Sequence, residues 1–294
     1  MLSSKPTHPI LLAAATIAIG CTGEVADGGD ADTSSTHALL VVEQSAPVED
    51  KQAVRSHASL WFLRIADERD FTAAASLVSA RLELPPVGSC VAVGAAEDHV
   101  MPARISRVDL AFAGDVQVRT RDNSTPLTVR FFPNVADLVS GVMYTLQDQS
   151  DLVGPFEGWL SVSATGSGEF EPLDASTRPP ALPEGLTLNG TALPLTEVEL
   201  QRGQPLSLGW NAGIEGDVIY VDIDPVPAVP AERVRCAFAD TGLGEIPQVA
   251  VPESSEMGIA IHRSRDVALR SDRGEVGMAH FDLAVTSRVR LASP

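Results

Sequence analysis

The sequence predicts an all-β protein built as an antiparallel β-sandwich, and three observations support this prediction. Short apolar or alternating segments recur along the chain after residue 36. Gly, Pro, Asn and Asp residues separate these segments at short, regular intervals, as turns do in sandwiches. Residues 71–84 are ambiguous between a helical turn and a strand, and apart from them only residues 135–139 look helical, for about one turn. We therefore expect two sandwich domains that follow an N-terminal leader and a tether.

The first 20 residues have the organisation of an export signal. A segment with Lys5 and no acid precedes an apolar run at residues 10–20, which is shorter than the roughly 20 residues of a membrane span. The run ends in Ile19-Gly20-Cys21, which resembles the lipobox of bacterial lipoproteins, although Ala18 stands where leucine is usual. The resemblance implies a signal peptide at 1–20 and lipidation of Cys21. An ordinary signal peptide that is cleaved nearby remains the alternative.

A lipid on Cys21 would attach the protein to a membrane. Each buried CH₂ contributes about 0.8 kcal/mol, so two or more acyl chains anchor far more firmly than one. In lipoproteins an Asp after the cysteine often marks retention in the inner membrane, and Thr22 stands there instead. We therefore expect an exported protein that is anchored to the bacterial outer membrane or cell surface.

Residues 21–36 predict an acidic disordered tether. They contain no aromatic residue, no Leu and no Ile, so they cannot bury a core. The whole chain is acidic too, with 39 Asp and Glu against 21 Lys and Arg and a formal charge of −18. Because such a surface repels phosphate backbones, we expect no nucleic-acid partner.

The N-terminal β domain is predicted at residues 37–176. Residues 38–42 and 58–65 are apolar runs that suit buried strands, and residues 105–132 read as a meander of three strands with turns at 114–115 and 122–124. Further strands are expected at 141–146 and 159–163. Prolines then make residues 178–183 a stiff connector to a second domain.

The C-terminal domain is predicted at residues 184–294. Residues 206–210 end in Trp210, a turn follows, and residues 218–223 form an apolar strand. This order resembles the central hairpin of immunoglobulin-like sandwiches, which implies that Trp210 lies in the core. The clearest strand runs from Phe281 to residue 291, with apolar residues on one face and Asp282 on the other. A slip of one residue would bury its arginines, so its register is well specified.

Cys90 and Cys236 are the only cysteines left once Cys21 is assigned to the anchor. Two remaining cysteines in an exported protein are often joined as a disulfide. Two buried free thiols are the alternative.

Few residues suggest a catalytic or metal-binding role. Asp217, Asp222 and Asp224 are close in sequence, and Asp222 and Asp224 share a strand face, so a calcium site is conceivable; a solvated sheet edge is the alternative. His262 and His280 are on or beside candidate strands and could meet, although solvated histidines are more common than metal ligands. No nucleophile elbow, zinc-protease motif or phosphate-binding loop is present. We therefore predict no enzymatic activity and no obligatory cofactor.

The order of lipobox, tether, PPVGSC at 85–90, DVIYVD at 217–222 and RCAFADTG at 235–242 resembles uncharacterised envelope lipoproteins of bacteria with GC-rich genomes. The resemblance implies location and β architecture and supplies no catalytic residues. We expect a non-enzymatic, lipid-anchored envelope protein with a structural or partner-binding role, whose partner is an envelope protein or polysaccharide. The alternatives are a carbohydrate-binding or calcium-dependent adhesion module and a hydrolase of envelope polymers.

Overall fold

A computed structural model describes residues 35–49, 54–79, 84–93, 108–135, 139–146, 158–168, 170–193, 204–227, 233–251, 254 and 256–290. The predicted signal peptide, Cys21, the predicted tether up to residue 34 and Leu291 lie outside these residues. By its contacts, Thr33–Pro294 forms one compact unit.

The prediction of an all-β class is confirmed, because strands dominate the described residues. One helix, α1 (Phe71–Val78), and two 3₁₀ turns, Glu68–Asp70 and Gln248–Ala250, accompany them. The strands are β1 (Ser35–Pro47), β2 (Arg55–Ile65), β3 (Cys90–Ala92), β4 (Val108–Leu110), β5 (Val116–Arg119), β6 (Ser124–Val135), β7 (Val139–Thr145), β8 (Leu160–Ala164), β9 (Leu173–Thr177), β10 (Thr187–Leu188), β11 (Thr191–Ala192), β12 (Leu206–Gly209), β13 (Val218–Pro225), β14 (Val234–Ala239), β15 (Leu243–Ile246), β16 (Glu256–Ser271) and β17 (Gly274–Arg290).

Thirteen strands form one main sheet in the order β17-β1-β2-β4-β7-β6-β5-β8-β9-β16-β13-β14-β3. The sheet is mixed rather than wholly antiparallel, since β1 runs parallel to β17 and β4 runs parallel to β7. The small second sheet, β11-β10-β12-β15, is antiparallel throughout.

The main sheet closes on itself in its N-terminal part. β17 pairs with both β1 and β16, and β16 pairs with β9, so the strands β17, β1, β2, β7, β6, β5, β8, β9 and β16 form a ring. Gly277 allows the close approach of β1 to β17, because a Cβ there would lie 1.9 Å from the carbonyl oxygen of Ala38. Buried side chains fill the ring, among them Leu40, Phe62, Tyr144, Leu160 and Phe281.

The C-terminal part is a sandwich. The inner face of β13, β14, β16 and the end of β17 packs against the small sheet. Leu188 and Leu208 come from the small sheet, while Ile219 and Ile259 come from the main sheet, and all four are buried. Trp210 is buried in this core 6.1 Å from the ring of Phe238, as predicted.

β17 joins the two cores and explains why the predicted register is correct. Its alternate residues Phe281, Leu283, Val285 and Val289 are buried, the first two in the ring and the last two in the sandwich. Burial of each such side chain contributes roughly 1.5–3 kcal/mol, so a slip of one residue would forfeit several of these contributions. The opposite face of β17 carries Asp282, Thr286, Arg288 and Arg290.

The Cys90–Cys236 disulfide predicted from the sequence is present. Cys90 on β3 and Cys236 on β14 are register partners with an S–S distance of 2.04 Å, and they are 146 residues apart in the chain. Cys90 precedes the predicted connector at 178–183 and Cys236 follows it. The main sheet likewise contains strands from both predicted domains, whose boundary stays a prediction.

α1 covers part of the outer surface of the ring. Its residues Ala74, Ala75 and Val78 pack on Trp61 and Leu63 of β2. The described part of the chain contains no helix that is both long enough and apolar enough to span a membrane.

Candidate functional site

The main sheet carries a cluster of three bonded polar side chains on its outer face, opposite the cores. Tyr220 donates its hydroxyl proton to Oδ2 of Asp282 at 2.5 Å, and Nδ1 of His262 lies 2.9 Å from Oδ1 of the same carboxylate. The rings of Tyr220 and His262 stack with centroids 4.2 Å apart. The guanidinium carbon of Arg235 lies 5.4 Å from the centre of the Tyr220 ring. Asp282 therefore holds an aromatic hydroxyl and an imidazole in fixed positions.

The protonation of this cluster follows from its surroundings. Burial raises the pKa of Asp282, but the hydrogen bond and the charge of His262, the Tyr220 hydroxyl and His280 together outweigh burial and hold that pKa below its ordinary value. Asp282 is therefore an anion and only accepts hydrogen bonds. Nδ1 of His262 therefore donates to Asp282, which fixes the orientation of the imidazole ring.

Nε2 of His262 makes no hydrogen bond with any described residue. The side chain of His262 is 16% exposed and that of Asp282 is 18% exposed, and both line a pocket of about 390 Å³. A second pocket of about 320 Å³, on the other side of the carboxylate, is lined by Tyr220, Asp282 and His280. An imidazole ring that Asp282 holds in place therefore lines an open pocket.

The pocket beside His262 is a trough across strands. Arg55, Ser45, Ala284, His262 and Tyr220 are successive register partners on β2, β1, β17, β16 and β13. Register partners in a sheet point to the same face. The small side chains of Ser45 and Ala284 thus form a low floor between Arg55 at one end and His262 at the other.

A second row of register partners borders this floor. It contains His57, Glu43 and Asp282, on β2, β1 and β17. Glu43, Arg55 and His57 line the same pocket as His262. Nε2 of His57 is 3.0 Å from the hydroxyl of Ser59, whereas Glu43 and Arg55 make no hydrogen bond or ion pair with a described residue. The trough therefore contains a cation and a carboxylate that have no partner among the described residues, together with the imidazole of His262.

The three aspartates predicted as calcium ligands each pair with an arginine. Asp222 accepts two hydrogen bonds of 2.7 Å from Arg235. Asp224 forms an ion pair with Arg233. Buried Asp217 accepts a hydrogen bond of 2.6 Å from Nη2 of Arg265. Each of these carboxylates is thus paired with an arginine, and the calcium site stays a prediction.

The histidines singled out in the sequence do not meet. His262 bonds to Asp282, whereas His280 lies 2.7 Å from Asp266. Within the described ranges, no three His, Cys, Asp or Glu side chains form a group that could hold a metal ion.

Two of the three tryptophans are buried, and one is exposed. Trp61 and Trp210 are 5% and 6% exposed, but Trp159, immediately before β8, is 43% exposed. Phe131 of β6 is the most exposed described aromatic side chain, at 89%. Neither Trp159 nor Phe131 lines the trough.

Sequence reasoning did not identify the trough. Its residues come from four strands that are far apart in the chain, and none belongs to a catalytic motif. One usable signal was present: Asp282 was placed on the polar face of β17, and His262 on a neighbouring candidate strand. Pairing the two strands as a hairpin would have brought these residues together.

The comparisons with known proteins give no assignment. The sequence matches no known family model, and no curated protein is significantly similar to it.

Proposed function

We propose that the protein is an exported, lipid-anchored envelope protein that binds a polar partner in the trough between Arg55 and His262. The observation that carries this proposal is the bonding of Asp282, which fixes the His262 imidazole in the lining of the trough. Groups that are rigid before the ligand arrives lose little conformational entropy on binding. The proposed anchor is the lipid on Cys21.

Binding is favoured over structural packing alone because two charged side chains of the trough have no partner among the described residues. In this chain acidic residues outnumber basic ones by 39 to 21, so an arginine has many possible partners. Arg233, Arg235, Arg263 and Arg265 all pair with an aspartate on or beside the same sheet. Arg55 pairs with no described residue, although Glu43 lies on the neighbouring strand. We therefore expect both groups to be available to a ligand.

The test is retention of the purified full chain, in detergent, on isolated envelope polysaccharide and on envelope protein. The wild type should be retained on one of them, and His262→Gln should be retained less. His37→Gln is the matched control, because His37 bonds to Ser35 and does not line the trough. Equal retention of wild type and His262→Gln, or no retention at all, would refute the proposed site.

The anchor needs its own experiment. We expect wild-type protein in the membrane fraction of a producing bacterium and Cys21→Ser in the soluble fraction. If Cys21→Ser stayed with the membranes to the same extent, the lipid anchor would be wrong while the trough proposal would stand.

A hydrolase of envelope polymers is the second candidate, and the Asp282–His262 pair is the observation that favours it. Carboxylates orient histidines in this way in enzymes where the imidazole serves as a general base. If the protein only binds, incubation with envelope polysaccharide releases no new reducing ends. Release by the wild type but not by His262→Gln would establish the enzyme.

A further inference from the structure

We infer that the trough binds a sugar acid, a ligand with one carboxylate and several hydroxyl groups. This inference rests on the proposed function and names the ligand class for that site. Each polar group that lines the trough matches a functional group of such a ligand.

Arg55 is the group for the carboxylate. A guanidinium offers planar donors that match the two oxygens of a carboxylate, and charged hydrogen bonds of this kind are about twice as strong as neutral ones. Arg55 reaches the trough from β2, and no carboxylate of a described residue forms an ion pair with it. Its matching ligand group is an anion at one end of the trough.

The remaining groups match hydroxyls. Nε2 of His262 makes no hydrogen bond with a described residue, while Nδ1 is bonded to Asp282. Glu43 is a carboxylate with no partner among the described residues, and Ser45 offers a hydroxyl on the floor. A ligand hydroxyl both donates and accepts, so hydroxyls can bond to all three. A ligand with a single anionic group and several hydroxyls therefore fits this set, whereas a polyanion would be repelled by Glu43 and by the negative net charge of the protein.

The dimensions suit a small ligand. Arg55 and His262 are three inter-strand spacings apart, which is about 14 Å between their Cα atoms. Their side chains extend over the floor from both ends and shorten the free span. The pocket volume of about 390 Å³ falls within the range of small-molecule sites.

Glucuronate and glucose are the probes that test this inference, because they share the ring and differ in the carboxylate. Calorimetry on the full chain should show glucuronate binding more tightly than glucose. Arg55→Gln should weaken glucuronate binding by about 10- to 100-fold, the effect of losing a charged hydrogen-bond partner, and should leave glucose binding unchanged. Arg119→Gln is the matched control, since Arg119 lies on β5 outside the trough.

A second variant, Ser45→Leu, tests whether the ligand lies over the floor of the trough, and it removes no charge. Its bulky side chain should weaken the binding of both glucuronate and glucose while Arg55 stays intact. Equal affinity for glucuronate and glucose in the wild type, or unchanged glucuronate binding in Arg55→Gln, would overturn the inference. If envelope material were still retained in a manner that depends on His262, only the ligand class would be wrong. Loss of that retention as well would remove the proposed function.

Discussion

Tyr220 and Asp282 are 62 residues apart in the chain and are joined by a hydrogen bond of 2.5 Å. Tyr220 lies on β13 and Asp282 on β17, and β16 runs between these two strands. The tyrosine hydroxyl therefore reaches across β16, beside the ring of His262. One carboxylate on β17 thus fixes side chains from β16 and β13, and this arrangement sets one end of the trough.

Alkaline titration should show that both tyrosines of the chain are buried in the native protein. Burial, then the charge of Asp282 and its hydrogen bond, raise the pKa of Tyr220. Burial also raises the pKa of Tyr144. Their contribution to stability is complete below the unfolded pKa of about 10 and is lost as the pH rises above it. We expect phenolate absorbance to appear only together with loss of the circular dichroism signal. Phenolate in the native protein near pH 10 would contradict this prediction.

Asp282→Asn should destabilise the protein at neutral pH, by about 1–3 kcal/mol, because Tyr220 and His262 lose their charged acceptor. The pKa of Asp282 is lowered in the folded state. Its contribution is therefore present above the unfolded value of about 3.9 and is lost as the pH falls through the folded value. Urea unfolding from pH 7 to pH 3 should show a difference between wild type and variant that shrinks below about pH 4. A difference that did not change with pH would show that the charge of Asp282 has no part in it.

Arg263 should be far more important for stability than an exposed arginine. It is 3% exposed, donates to Oδ2 of Asp240 at 2.7 Å and to the carbonyl of Asn211 at 2.6 Å, and reaches Ala181 in the predicted connector. Arg263→Met leaves Asp240 buried without its cation, and we expect a loss of about 3–5 kcal/mol.

Arg273→Ala is the control for Arg263→Met. Its ion pair with Glu171 is exposed, so its loss should cost about 1 kcal/mol or less. Denaturant midpoints of the two variants provide the comparison. Equal losses of stability in the two variants would contradict the larger contribution expected of the buried Arg263 network.

Reduction of the Cys90–Cys236 disulfide should lower the melting temperature. The closed loop spans 146 residues, and the chain-entropy model gives about 5 kcal/mol for a loop of that length. The Cys90→Ala/Cys236→Ala double variant should behave like the reduced wild type in thermal unfolding. If reductant did not change the melting temperature of the wild type, the bridge would contribute nothing to stability.

Patterns within one strand could be read from the sequence. The alternation in β17 sets which residues are buried, since a slip would expose Phe281 and Leu283 and bury polar residues. The disulfide was predictable as well, because elimination left only Cys90 and Cys236. Trp210 was correctly placed in the core from the resemblance of its hairpin to that of immunoglobulin-like sandwiches.

Relations between strands were harder to predict, and the trough depends on them. β16 and β17 form a hairpin, but a shift in register between Leu269 and Arg270 moves every later pair by one residue. Counting from the turn at Gly274 would therefore misplace His262 relative to Ala284. The parallel pairing of β1 with β17 brings Ser45 beside Ala284, although the two residues are more than 200 positions apart. No local pattern carries that information.

Hydrogen exchange of the full chain, with and without the envelope polysaccharide or protein that retains it, tests the central claim most directly. Our account predicts slower exchange on binding in the segments of β1, β16 and β17 around Ser45, His262 and Ala284. Segments around Phe131 and Trp159 should not change. Protection confined to those exposed aromatics, with none around the trough, would contradict the account.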